Sequence, residues 1–313
     1  MRQSEHYRSL TPRLALSLAA PHTWVASAFP ALFADFYCWQ QGLELTWLKG
    51  IMLLAACVFL QSAVNTLNDY FDFIKGVDSA NDHVEVNDAV LVYGNITPGS
   101  ALILGIAYMV AGAALGLVSC MGSGLVPLII GITGGVVILI YSGGPIPVSY
   151  LPIGEIVSGV VMGGLIPLGI AGCADGKIHW QLLLYSLPMI AGIALIMMSN
   201  NGSDIEKDRK AGRRTLPTCI GRARTLELYR YLIVSWLILV IVLPVTLLGP
   251  IGFVSGILTV LLGGKIIRKQ LACTLEPEGR IATMQGIVMT NIALNGAYTA
   301  AFAAGFILEV LHG

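Results

Sequence analysis

Charge is scarce in this chain. Only 12% of its 313 residues are Asp, Glu, Lys or Arg, and 18 acids balance 18 bases, so the formal net charge is zero. Without a basic surplus there is no global field to hold a polyanion, which excludes nucleic acid as a partner selected by charge. The chain has 5 histidines, and its 6 cysteines (Cys38, Cys57, Cys120, Cys173, Cys219 and Cys273) stand far apart, with no CxxC spacing and no His close by. Neither a zinc site nor a disulfide framework follows, and the cysteines read as small buried hydrophobes. The first apolar run begins near Leu14, behind Arg2, Arg8 and Arg13, and contains Pro21, His22 and Asp35. It has no clear small-residue cleavage site, so it is expected to be a retained helix and not a removable signal.

Hydrocarbon takes the place of charge. The chain is 56% hydrophobic with a mean hydropathy of +0.78, which points to an integral membrane protein. Apolar segments of the roughly 20 residues a bilayer requires lie at about 16–38, 46–68, 99–119, 123–141, 152–173, 180–200, 228–248, 250–267 and 284–309. The expected fold is all-α, with nine transmembrane helices in one polytopic domain over 1–313. Only the Leu248-Gly249-Pro250 turn separates the seventh span from the eighth. A cytoplasmic N-terminus puts Arg2, Arg8, Arg13, Lys75, the eight bases from Lys207 to Arg230, Lys265, Arg268, Lys269 and Arg280 inside, leaving Lys49 and Lys177 outside. That asymmetry obeys the positive-inside rule and predicts a multi-pass protein of the cell (inner) membrane, with Trp39, Trp47 and Trp180 at the outer interface.

Against this background the acids are gathered. Asp69 and Asp72 are spaced i, i+3 at the end of the second span, with Asn65 and Asn68 on the same stretch and Asp78 beyond Gly76. Asn200, Asp204 and Asp208 follow the sixth span at i, i+4, i+8 and are expected to share a helical face. Both clusters follow helices running from outside to inside, four helices apart. This predicts two four-helix halves, about 14–141 and about 150–309, with a ninth helix appended and the clusters facing each other across a cavity open to the cytoplasm. Carboxylates held together at a membrane boundary repel one another and need a partner. A hard divalent cation carrying phosphate is the common one, and Mg2+ takes one or two carboxylates plus phosphate oxygens. Two ions are expected, one on each cluster, with a diphosphate between them. Lys75, Lys207, Arg209, Lys210, Arg213 and Arg214 stand near enough to neutralise the remaining charge and hold a leaving group. A single Asp at a helix end is more often interfacial punctuation, but two matching clusters with Asn one turn ahead favour a site. Most of Arg222, Arg224, Arg230, Arg268 and Lys269 read as topology signals.

These segments resemble the UbiA superfamily of intramembrane aromatic prenyltransferases. Asn68-Asp69-Tyr-Phe-Asp72, with Asp78 further on, is similar to that family's NDxxD motif, and Asp204-Ile-Glu-Lys-Asp208 to its DxxxD motif. Together with Tyr141-Ser-Gly-Gly-Pro145-Ile-Pro147, Gly154-Glu155, Asp208-Arg209-Lys210-Ala-Gly212-Arg213-Arg214-Thr215-Leu216 and the opening Ala20-Pro21-His22-Thr-Trp24, they resemble the menaquinone-pathway branch that prenylates 1,4-dihydroxy-2-naphthoate. The resemblance implies a UbiA-like bundle in which Asp69, Asp72, Asp204 and Asp208 bind two Mg2+ ions holding a polyprenyl diphosphate, supported by Asn68 and Asp78. It also implies an aromatic acid as acceptor, an apolar tunnel for the prenyl chain, and loss of the acceptor's carboxylate after transfer. An apolar pocket would keep water from the allylic cation, and either Tyr141 or Tyr150 has a ring face to offer it. One departure stands out: Ala89 occupies a place where the family usually has Arg near the diphosphate. Compensation by Lys75 or the second-loop bases, or a different aromatic acceptor, would then be expected. His83, in the same acidic loop, reads as a solvent-facing residue. An ion-coupled secondary transporter is the alternative from another class, although its carboxylates would sit near mid-bilayer and not at one boundary.

Overall fold

The computed structural model describes residues 7–76 and 90–312. Among these the regular elements are all helices, and one isolated bridge joins Arg8 to Ile96. In chain order the helices are α1 (Pro12–Ala19), α2 (Val25–Gln40), α3 (Trp47–Ile74), α4 (Val90–Gly94), α5 (Pro98–Cys120), α6 (Leu125–Ser142) and α7 (Gly154–Asp175). After a short lead-in at Trp180–Tyr185 come α8 (Leu187–Ser203), α9 (Ile205–Lys210), α10 (Leu216–Ile220), α11 (Arg222–Leu248), α12 (253–271) and α13 (Arg280–His312). The chain is a multi-pass membrane protein. Among the described residues six helical stretches are long and apolar enough to cross a bilayer: Trp47–Ile74, Pro98–Cys120, Leu125–Ser142, Gly154–Asp175, Arg222–Leu271 and Pro277–His312.

The difference from the predicted nine lies in how the runs are cut. Arg222–Leu271 holds the predicted seventh and eighth spans, turned at Gly249–Gly252, where Gly249 takes a φ of 56°. The sixth run is divided at Ser186, since Pro188 inside the first turn of α8 has no N–H with which to continue the preceding helix. The first is divided because Ala20 precedes Pro21 and leaves the helical region, with a φ of 46°. Freed backbone groups have no water to turn to within a membrane, so such a break must be satisfied from inside the protein. Trp24 Nε1 donates to the Ala19 carbonyl at 3.0 Å, and Asn65 Nδ2 donates to the same carbonyl at 2.9 Å and to Thr23 Oγ1 at 2.8 Å.

The core sits where α13 packs against α2, α8 and α11. Phe33 meets Phe302 edge-on at 5.0 Å and Tyr298 at 5.3 Å, and the Tyr298 hydroxyl donates to the Tyr185 carbonyl at 2.8 Å. Trp236 Nε1 donates to Asn295 Oδ1 at 3.1 Å, and Asn291 Nδ2 to the Gly192 carbonyl at 3.0 Å, so buried polar groups join α8, α11 and α13. Gly192 is required there, because a Cβ would lie 2.7 Å from the Trp236 ring. By contrast, α5 and α6 have only 17% and 11% of their apolar windows buried and present Ile103, Leu125 and Ile129 outward, as a lipid-facing surface does.

The length of α3 positions the site. At 1.5 Å per residue, Asp69 stands about 33 Å along the helix from Trp47, just beyond a hydrocarbon core of about 30 Å. At the opposite end the Trp39 ring lies 3.8 Å from that of Trp47, and Phe306 is 5.6 Å from each.

Candidate active site

Asp69 and Asp72 occupy the last turns of α3 and are only 6% and 7% exposed. Asp69 Oδ2 accepts the backbone N–H of Val90, at the start of α4, at 2.8 Å. Asp72 Oδ1 accepts from Arg213 Nη2 at 2.5 Å, while Nη1 of the same guanidinium lies 3.6 Å from Asp208 Oδ1. One arginine therefore spans a carboxylate from each cluster, Asp72 and Asp208.

The local chain explains how Arg213 gets there. Helix α9 ends at Lys210, and Gly212, with a φ of 72°, reverses the chain so that the Arg213 N–H donates to the Asp208 carbonyl at 2.8 Å. Thr215 Oγ1 then donates to Asp208 Oδ2 at 3.1 Å, and the Arg214 N–H to the Tyr150 carbonyl at 2.8 Å. The Tyr150 ring carries Arg213 at 4.7 Å and Lys75 at 5.0 Å, both within cation–π range. Burial pushes the Asp208 carboxyl up to about 6, against the pull of Arg213 and Thr215. Burial also opposes the Arg213 charge, but Asp72 and Asp208 more than offset it, and its pKa rises. Burial lowers the pKa of Lys75, with Asp72 acting in the other direction.

The second cluster differs from the single helical face that its spacing suggests. Helix α8 stops at Ser203, and Asp204 has a φ of −104° and a ψ of 15°. The i, i+4 hydrogen bonds nevertheless persist, from Asp204 N–H to the Asn200 carbonyl (3.2 Å) and from Asp208 N–H to the Asp204 carbonyl (2.8 Å). The side chains part company at this break. Asp204 accepts from Arg280 Nε at 2.9 and 3.1 Å and Asn200 Oδ1 from Arg280 Nη2 at 2.6 Å, whereas Asp208 faces Arg213. Sequence reasoning missed this role for Arg280, which is 6% exposed at the start of α13 and reads in sequence as one more topology charge. No local spacing reveals it, because its partners are 76 and 80 positions away.

Of the remaining predicted residues, Asn68 Oδ1 accepts from Ser142 Oγ at 2.8 Å, and Lys75 Nζ donates to the Ser142 carbonyl at 3.0 Å. Lys75, Lys210 and Tyr150 line an open cleft of about 460 Å³ with Pro145 and Pro147. Lys207 is half-buried on α9, and Arg209 points outward to the Thr218 carbonyl at 3.4 Å. Tyr141 stands beside Gly154, its hydroxyl 3.8 Å from where a Cβ would be. Asn65 is committed to the break between α1 and α2. Asp78, His83 and Ala89 lie outside the described residues.

The donor set fits a hard cation: it is all carboxylate oxygen, with Asp72 and Asp208 drawn to one guanidinium. Among the described residues no three acid, His or Cys side chains converge on one point. A small ion that retains water and takes phosphate oxygens does not need them to.

The sequence pattern of the UbiA prenyltransferase family matches residues 27–306. A 1,4-dihydroxy-2-naphthoate octaprenyltransferase of Bacillus subtilis (strain 168) is 35% identical over 208 residues, which is 65% of this chain and 65% of that protein, so the match falls short of the relative's full length. Among solved structures, the apo form of a UbiA homolog from Aeropyrum pernix K1 superposes with a TM-score of 0.63 at 21% identity, covering 92% of this chain and 98% of the other. A UbiA homolog from Archaeoglobus fulgidus bound to GPP and Mg2+ superposes with a TM-score of 0.60 at 18% identity, covering 92% and 99%.

Proposed function

The chain belongs to the UbiA prenyltransferase family, and we propose that it transfers a polyprenyl group from its diphosphate to an aromatic acid, 1,4-dihydroxy-2-naphthoate, with loss of carbon dioxide, in menaquinone synthesis. The observation that carries this reading is the meeting of Asp72 and Asp208 on Arg213. Carboxylates 136 positions apart in sequence converge on one guanidinium, beside a cleft bearing Lys75 and Lys210. The relative from Bacillus subtilis supports the naphthoate acceptor by its name, and the Archaeoglobus homolog supports Mg2+ and a prenyl diphosphate by what it binds.

In this reading Asp69, Asp72, Asp204 and Asp208 hold two Mg2+ ions. When bound, these supply Lewis-acid neutralisation of the departing diphosphate. Asn200 and Arg280 orient Asp204, while Asn68 keeps the end of α3 against Ser142. Lys75, Lys207, Lys210 and Arg213 would neutralise the diphosphate oxygens, and Arg209 turns away to the Thr218 carbonyl. The allylic C–O bond breaks with its electron pair going to the diphosphate. The ring carbon that bears the carboxylate then bonds to the allylic carbon, and that carboxylate leaves as carbon dioxide, the electron pair of the broken C–C bond restoring the aromatic ring. The faces of Tyr141 and Tyr150 attract cationic character at the allylic carbon, and the apolar helices exclude water. Nine membrane crossings in two four-helix repeats plus one, with the acids and N-terminus on the cytoplasmic side of the cell membrane, belong to the same proposal. A transporter site would sit near the bilayer midplane. These acids lie at the end of α3 and past the end of α8.

The test is to incubate membranes containing the protein with Mg2+, a labelled polyprenyl diphosphate and a panel of aromatic acids, and to weigh the product. A product lighter than the simple adduct by carbon dioxide, formed from the naphthoate, is expected. An adduct of a different acid that retains its carboxylate would reject the naphthoate assignment, and absence of any adduct would reject the prenyl transfer.

A further inference from the structure

Glu155, in the first turn of α7, is 1% exposed. Its Oε1 accepts from Asn201 Nδ2 at 2.8 Å, while Oε2 is buried without a hydrogen-bond partner. Such an atom has lost its hydration without a replacement, and an orphan of this kind in a native interior calls for an explanation. Its surroundings supply one. The Tyr141 hydroxyl and Ser149 Oγ are also buried and unpartnered. A Cβ on Gly154, the residue before Glu155, would lie 3.8 Å from that hydroxyl and 3.7 Å from the Ser149 Cα, so Tyr141 and Ser149 both pack against the chain beside Glu155. The polar neighbour Ser158 does not supply Glu155 Oε2, because its Oγ donates to the Glu155 carbonyl at 3.0 Å. Tyr150, the residue after Ser149, carries Arg213 on its ring at 4.7 Å, which brings this region near the residue joining Asp72 and Asp208.

A buried carboxylate oxygen without a donor is chemically complementary to a ligand that brings its own O–H donor. A hydroxylated aromatic ring is such a ligand, and a prenyl chain is not. We propose that Glu155 is a specificity-determining residue for the aromatic acceptor: its Oε2 accepts a hydrogen bond from a ring hydroxyl, with Tyr141 and Ser149 beside it. This deepens the proposed prenyl transfer and rests on it. The bland alternative is a structural carboxyl that only anchors Asn201 of α8 to α7, and the two differ in what an isosteric change does.

The experiment compares wild-type protein with Glu155→Gln, which retains an oxygen for Asn201, and with Tyr141→Phe. Each is assayed with 1,4-dihydroxy-2-naphthoate and with its monomethoxy ethers, with the KM of each substrate measured separately. Sites built to bind a hydroxyl discriminate strongly against analogues lacking it. Accordingly E155Q is expected to lose about 10²-fold in kcat/KM for the acceptor, while the KM for prenyl diphosphate changes less than about twofold. Wild type is expected to reject one methoxy ether by a similar factor, and E155Q to discriminate little between hydroxyl and ether. Tyr141→Phe is expected to show the same pattern at smaller size, and it carries the test should E155Q fold poorly. An E155Q protein with unaltered acceptor kinetics, or with both substrates impaired equally and a lowered melting temperature, would overturn the inference while leaving prenyl transfer standing. A wild-type protein that prenylates no hydroxylated aromatic acid would overturn both.

Discussion

The two acid clusters are held by different means. Asp69 and Asp72 sit on one uninterrupted helix, and the contacts seen for them are a backbone N–H from Val90 and a guanidinium from the other half of the chain. Asp204 and Asp208 flank a helix break, and the C-terminal half supplies their contacts itself, through Arg280, Arg213 and Thr215. The second cluster is served from its own half, whereas Asp72, which also acts on Lys75 at the end of its own helix, shares Arg213 with Asp208. Arg213 joins a carboxylate of the first cluster to one of the second.

That asymmetry can be broken in steps. Replacing Asp72 or Asp208 with Asn removes the charge and keeps the shape, and the largest effect is expected here. Turnover measured by product mass should fall on the order of 10³-fold, the scale set by losing one preorganised electrostatic group. Arg280→Ala leaves the half-buried Asp204 without its cation, so unfolding of the detergent-solubilised protein should show a loss of about 1–3 kcal/mol. Arg280→Lys should recover only part of it, since Lys cannot reproduce the fork on Asp204 and Asn200. Gly212→Ala forces a side chain into a left-handed position, at about 1–2 kcal/mol. It should loosen Arg213 from both carboxylates, with turnover falling more than stability accounts for. Asn65→Ala sharpens the comparison from outside. Its amide serves the break between α1 and α2, so about 1–2 kcal/mol of stability should go, with kcat/KM per folded molecule unchanged within about twofold. A large kcat/KM loss there would return Asn65 to the substrate site.

Much of this architecture was legible from hydropathy, because a bilayer imposes length and apolarity on each span. The two acid motifs stood out for the same reason, since charge is rare in such a chain. What the sequence could not convey were the long-range pairings. The break after Ala19 looks like continuous apolar chain until Asn65 of another helix is seen to satisfy it. Six bases near the motifs were equivalent by proximity, and only Gly212 and the Asp208 carbonyl single out Arg213. Arg280 resembled a topology charge, and the spacing of Asn200, Asp204 and Asp208 concealed a helix break that sends their side chains to two different arginines. Glu155 was visible as part of a short motif, but its orphaned oxygen exists only in three dimensions.

The central claim is that both clusters grip one metal-bearing diphosphate. It is tested most directly by calorimetric titration of a polyprenyl diphosphate into the purified protein with and without Mg2+, for wild type, Asp72→Asn, Asp208→Asn and the double variant. The account predicts binding that requires Mg2+, is lost in either single variant, and falls little further in the double. Binding that persists without Mg2+, or that survives in both single variants, would contradict it.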